Sequence, residues 1–126
     1  MDKAAFNKRL QWIVEKYEAT ISKRNEEIES ENGIYNRFRY PILTKDHIPY
    51  FWKYDLDYNT NPYLMERLGV NCVFNAGAIY LDGKFYMVAR VEGADRKSFF
   101  AVAESDNGVD FKFWDYPCVI PETDNP

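Results

Sequence analysis

The stretch Asn71–Trp114, NCVFNAGAIYLDGKFYMVARVEGADRKSFFAVAESDNGVDFKFW, decides the fold. Two apolar runs flank Asp82-Gly83, and Asp-Gly between such runs is the strongest short-range signal for a β-hairpin. The spacing predicts strands over Asn71–Leu81 and Lys84–Glu92, with Tyr80 and Phe85 as packing residues of the hairpin. A loop over Gly93–Lys97 leads to a third strand, Ser98–Glu104. Asp106-Asn107-Gly108 then turns the chain into a fourth, Val109–Trp114. The second strand alternates Phe85, Met87, Ala89 and Val91 against Tyr86, Val88 and Arg90. Both of its faces are mostly apolar, so both are expected to be covered. Four antiparallel strands in an up-and-down meander, covered on both sides, describe one blade of a β-propeller. A lone sheet of this kind would expose its faces and its edges.

Upstream, residues 33–70 show no clear period. Pro41, Pro49 and Pro62 punctuate them, and aromatic side chains from Tyr35 to Tyr63 fill the intervals. Aromatic density of this order argues against disorder, so the segment is expected to wrap, in ordered form, onto a larger body. Asn61-Pro62 is expected to start a short helical turn over Tyr63–Leu68, closed by Gly69. Residues 1–32 read as one amphipathic helix from residue 3 to about 30. Phe6, Leu10, Ile13, Val14, Tyr17 and Ile21 form its apolar stripe, and Asn32-Gly33 its stop. Its polar tail, Arg24–Glu31, is expected to fray or point into solvent. The helix either packs on the body or serves as a contact for a homo-oligomer. Residues 71–126 then hold the blade and a proline-rich exit connection, DYPCVIPETDNP. One blade does not bury its own faces, so the chain reads as the N-terminal piece of a longer protein of mainly β class with an N-terminal helix.

Composition excludes several functions. The chain has 126 residues, 46% hydrophobic and 29% charged, as expected of one soluble globular domain. No run of 18 or more residues is continuously apolar, so no membrane helix is expected. The net charge of −4 argues against a nucleic-acid partner. The N-terminus has no apolar stretch of the secretory kind, so a cytoplasmic location and reduced Cys72 and Cys118 are expected. Two cysteines and one histidine fall short of a metal site, so no metal is expected. That histidine, His47, lies in a turn-like Lys45–Pro49 stretch with no nucleophile motif nearby and reads as structural. Carbohydrate chemistry stays open, because it runs on carboxylates alone.

Three motifs carry a resemblance. They are Asn71-Cys-Val-Phe-Asn75-Ala-Gly-Ala78, Arg90-Val-Glu-Gly-Ala-Asp-Arg-Lys-Ser98 and Ala103-Glu-Ser-Asp-Asn-Gly108. Together they resemble glycoside hydrolase family 130, the inverting β-mannoside phosphorylases. The likeness is strong over residues 33–126 and looser over the helix. Residues 47–67, ending in Asn61-Pro62-Tyr-Leu-Met-Glu-Arg67, resemble the subgroup that acts on mannosyl-glucose. The resemblance implies a five-bladed β-propeller with a central active site and no cofactor. It implies conversion of a β-1,4-mannosyl-glucose disaccharide and inorganic phosphate to α-mannose 1-phosphate and glucose. Relatives with a mannooligosaccharide or mannosyl-N-acetylglucosamine substrate are the alternative within the family. A noncatalytic carbohydrate-binding remnant is the alternative outside it.

No catalytic residue is assigned to this chain. In the family pattern the acid aspartate follows the Pro-Glu-x-x-x-Pro connection, here Pro121–Pro126, and the phosphate-binding residues follow later still. Asp124 matches the connection and not the acid, so the chain alone is expected to be inactive. What the resemblance does place here is part of the sugar site. Asn75 matches an asparagine that binds mannose, with Gly77 allowing close approach, and Arg90 matches an arginine facing the cavity. From the residues alone Asn75 reads as a turn or bulge residue and Arg90 as half of a surface ion pair. Asp95, Arg96 and Ser98 suit sugar hydroxyls, or they staple their own loop. Glu92 and Glu104 read as structural.

Overall fold

A computed structural model describes residues 1–29 and 37–119, with the side chains of Asn75 and Ala76 outside that description. The stop signal at Asn32-Gly33 and the Pro121–Pro126 connection also lie outside the described residues. The described chain is mainly β, preceded by one long helix.

Helix α1 spans Lys3–Ser22. Asp2 caps it by accepting the Ala5 N–H at 2.7 Å, which satisfies one orphan donor of the first turn. Its buried side chains are Phe6, Ile13 and Tyr17, all members of the predicted stripe. The helix ends about eight residues before the sequence pattern suggested. The reason is a competing set of tertiary hydrogen bonds. The Asn25 side chain donates to Tyr40 O at 2.8 Å and accepts from Tyr40 N–H at 3.0 Å. The Asn25 N–H donates to Asp110 at 2.8 Å. Beyond it the polar tail does not simply fray: β1, Glu27–Ile28, pairs antiparallel with β2, Arg37–Phe38.

The wrapping segment is ordered by short local devices. A single 3₁₀ turn, Lys45–His47, is closed by a capping box between Thr44 and His47. It delivers Ile48 into the core, and α2, Tyr50–Lys53, follows. The expected helical turn over Tyr63–Leu68 does not form. Leu64 N–H bonds to Asn61 O, but Leu64 then adopts φ 47° and the chain goes extended, bridging Tyr54 with Glu66. Leu64 is thereby driven into a cluster with Phe6 and Ile13, edged by Tyr50, Tyr54 and Tyr58. Burial of one leucine outweighs the helical continuation of a six-residue run.

The sheet follows in meander order: β3 Val70–Leu81, β4 Lys84–Gly93, β5 Ser98–Ser105 and β6 Lys112–Phe113. Asp82 at φ 51° and Gly83 at φ 83° give the hairpin turn two successive left-handed residues, as the Asp-Gly signal requires. One face of the sheet carries Met87, Ala89, Val91, Ala101, Ala103 and Phe113, all buried. It is covered by Ile42, Leu43, Ile48 and Trp52 of the wrapping segment. Both faces of β4 were expected to be covered, but among the described residues only that one is. Val88 and Arg90 on the other face are exposed. The fourth strand is shorter than expected because Val109 and Asp110 are drawn into the turn by the Asn107 side chain.

Candidate functional site

The loop between β4 and β5 is built by close backbone approach. Gly93 N–H donates to Lys97 O at 2.8 Å, and Arg96 N–H donates to Gly93 O at 2.9 Å. The Ala94 N–H reaches across to Gly69 O at 2.8 Å, tying the loop to the segment entering β3. A side chain at Gly69 would force the backbone apart, and one at Gly93 would displace the Asp95 carboxylate. A Cβ on Gly69 would stand 2.9 Å from the Ala94 Cβ, and one on Gly93 would stand 2.8 Å from Asp95 Oδ1. The Asn71 side chain braces the same loop by donating to Gly93 O at 3.2 Å.

Within this frame Asp95 accepts the Lys97 N–H on Oδ1 at 3.0 Å, so one of its oxygens staples the loop. Its other oxygen remains an acceptor. Arg96 sits at φ 66°, a conformation that costs a non-glycine residue about 1–2 kcal/mol. Such strain at an exposed loop tip is a recurrent mark of functional placement. Ser98 opens β5 opposite Glu92.

Arg90 lies opposite Phe100 on β5 and opposite Phe74 on β3. Its guanidinium rests over the Phe74 ring, 4.6 Å from the centroid. No carboxylate among the described residues forms an ion pair with it. A guanidinium held flat by an aromatic ring keeps its edge donors free for a planar or vicinal pair of oxygen acceptors. Arg90 and Ser98 share the outer face of the sheet at the loop end, one alternation apart. Asn75 pairs with Ala89 in the neighbouring strand, immediately before a bulge between Asn75 and Gly77. The structure therefore gathers the backbone of Asn75, the side chains of Arg90 and Ser98, and the Gly93–Lys97 loop toward one end of one sheet. Phe74 and Asn71 are supporting residues the sequence reading passed over. The register shift between Asn75 and Gly77 is what sets Phe74 across from Arg90, and simple strand alternation did not signal it.

Other ionisable groups have local roles. Glu104 pairs with Lys84 at 3.5 Å, and Glu92 accepts a weak hydrogen bond from the Cys72 thiol at 3.8 Å. Burial, then the Glu92 carboxylate, holds the Cys72 thiol above its usual value and so away from thiolate chemistry. His47 accepts the Thr44 N–H on Nδ1 at 3.0 Å. Burial depresses its pKa, outweighing the opposing influence of Asp46. A cavity of about 220 Å³ lies between the end of α1, the Tyr40–His47 stretch and Val109–Phe111, and holds none of the predicted sugar-binding residues. Among the described residues no cluster of His, Cys, Asp or Glu is arranged to hold a metal ion, and no helix is long and apolar enough to cross a membrane.

No protein-family model matches the chain. Against curated proteins, 118 residues, or 93% of the chain, align at 56% identity with the 4-O-β-D-mannosyl-D-glucose phosphorylase of Bacteroides fragilis. Over nearly all of its length, this chain is similar to a portion of a mannosyl-glucose phosphorylase. It spans 30% of that enzyme's length. The match upholds the likeness read from the Arg90–Ser98 motif, and it agrees with the mannosyl-glucose subgroup read from residues 47–67. It also extends the likeness into the helix, because 93% coverage leaves room for few unmatched residues.

Proposed function

We propose that this chain forms part of an inverting β-1,4-mannosyl-glucose phosphorylase. That enzyme would convert mannosyl-glucose and phosphate to α-mannose 1-phosphate and glucose in the cytoplasm. The observation that carries the reading is the 56% identity sustained over 93% of the chain. In the complete enzyme the sheet β3–β6 is one blade of a five-bladed propeller, with its loop end turned toward the central cavity.

The chemistry fits a chain that binds sugar and lacks the acid. Inverting hydrolysis uses one carboxyl as acid and a second as base to activate water. Phosphate is already an anionic nucleophile, so the base is dispensable and one acid remains. The further requirement is to hold sugar and phosphate in line. On this chain Arg90 offers paired N–H donors and Ser98 a hydroxyl, with Asp95 adding a carboxylate oxygen and Arg96 a second guanidinium. Asn75 completes the mannose contact. The acid and the phosphate-binding cations come from the rest of the enzyme, so the isolated chain is inactive.

A chimera tests the proposal: residues 1–126 replace the matched stretch of the Bacteroides fragilis enzyme. The expected result is phosphate-dependent release of α-mannose 1-phosphate from mannosyl-glucose, with no turnover by the 126-residue chain alone. Arg90→Ala in the chimera is expected to raise KM for mannosyl-glucose. A chimera that folds but prefers mannobiose, or one indifferent to Arg90, overturns the assignment.

A further inference from the structure

Arg90 has a carboxylate within reach and does not use it. Glu92 stands two residues along β4 on the same face. The Cα separation at that spacing is about 7 Å, which an arginine and a glutamate side chain together span. Opposite charges placed as neighbours on a sheet face attract one another. Yet among the described residues Arg90 forms no ion pair. The Glu92 carboxylate accepts from the Cys72 thiol at 3.8 Å, and the guanidinium lies over the Phe74 ring, 4.6 Å from its centroid. Phe74 reaches that face only through the bulge. Gly77 is opposite Val88, and strict alternation back along β3 would turn Val73 outward and Phe74 toward the core. The shift between Asn75 and Gly77 reverses this. Val73 packs against the core cluster, and Phe74 stands opposite Arg90, 41% exposed. Bulges re-aim side chains in this way, and here the one re-aimed meets the guanidinium.

We propose that Phe74 is a positioning residue for sugar binding: by stacking on Arg90 it keeps the guanidinium out of an ion pair with Glu92. The inference rests on the function proposed above. Two partners compete for one side chain. Stacked on the ring, the guanidinium keeps its edge N–H donors free for sugar hydroxyls. Paired with Glu92, its fork is filled by a carboxylate that a neutral hydroxyl must displace. An exposed cation–π contact and an exposed ion pair are of similar strength, so removal of the ring tips the balance toward Glu92.

Substitutions in the chimera test this. Phe74→Leu keeps an apolar side chain and removes the ring. It is expected to raise KM for mannosyl-glucose about fivefold with kcat little changed. Glu92→Gln alone should leave KM as it is. Added to Phe74→Leu, it should restore most of the lost affinity, which a merely structural role for Phe74 would not allow. Phe74→Tyr keeps the ring and should match the parent. An unchanged KM in Phe74→Leu, or a loss that Glu92→Gln does not restore, overturns the proposal. A crystal structure of the Phe74→Leu chimera reads the same switch without turnover. The Arg90 guanidinium is expected at ion-pair distance from the Glu92 carboxylate, and a guanidinium that stays apart from it overturns the proposal. A chimera without phosphorylase activity, in which Arg90 still moves to Glu92 once the ring is lost, would keep the positioning and remove the function. An active chimera in which Arg90 does not move would do the reverse.

Discussion

Replacing Asn61 with alanine should cost this chain about 3 kcal/mol. Asn61 is only 2% exposed, and its amide is the hub of the loop before β3. It donates to Asp55 O at 2.9 Å and to Met65 O at 3.0 Å, and accepts from Met65 N–H at 3.1 Å. Each bond contributes about 1 kcal/mol net, and three backbone groups lose their partner together. Incoming water offsets part of this, because Met65 is at the surface. The loss of Leu64 packing adds to it, because Leu64 holds its φ of 47° and its buried place only while the loop is pinned. Urea unfolding, followed by tryptophan fluorescence and far-ultraviolet circular dichroism, reads the change as a shift in midpoint at constant slope. Asn61→Asp is the sharper companion. It keeps the acceptor but sets a carboxylate oxygen against two carbonyls, so it should destabilise at neutral pH at least as much as alanine. Part of that loss should return when the carboxyl is protonated in acid. A loss below about 0.5 kcal/mol for Asn61→Ala, within the range of neutral surface changes, would refute the hub role.

Three other perturbations separate the parts of the fold. Ile48→Ala removes the side chain that the 3₁₀ turn inserts against the sheet, and should cost about 3 kcal/mol, read by the same unfolding curve. Arg96→Gly relieves a left-handed residue, so stability should hold or rise by up to about 1 kcal/mol, while the chimera's KM for mannosyl-glucose rises. His47 is depressed below 6.5 in the folded state, so the folded chain binds the proton less well than the unfolded one. Its contribution to stability is present above pH about 6.5 and is lost as pH falls through that value toward the folded pKa. His47→Gln should flatten this part of the profile. Asp110 belongs to a separate, lower window: burial pushes its carboxyl up, but bonds from Asn107, Asn25 and Arg24 hold it below its usual value.

The elements legible in the sequence were those fixed by local chemistry. Asp82-Gly83 demands a turn of one hand, and β3 and β4 follow from it on either side within a residue or so. The α1 stripe was equally plain, because Phe6, Ile13 and Tyr17 recur at helical spacing on one buried face. What the sequence did not disclose was decided between distant residues. Asn25 meets Tyr40 and Asp110, and those contacts end the helix and start a strand where periodicity alone continued. Leu64 leaves a helical turn because Phe6 and Ile13, about fifty residues earlier, provide a place to bury it. In the candidate site, Arg90 and Ser98 fall together by strand register, which the hairpin pattern predicts. The stacking of Arg90 on Phe74 needed the bulge-shifted pairing of β3 to become visible.

The position of Arg90 on the outer face bears on the sugar contact proposed above. Arg90 is one of the outer-face side chains, and its neighbours Phe74 and Phe100 are apolar. In the chain alone that guanidinium is exposed to water, where a hydrogen bond to a sugar hydroxyl merely replaces one to solvent. In a medium of lower effective dielectric each charge-assisted bond would be stronger and an unfilled donor would cost more. Phe74 holds the plane of the guanidinium, so under the proposed function little rotamer freedom is lost on binding. The aromatic side chain that stacks on Arg90 is thus the part of the proposed contact that the sheet itself preorganises.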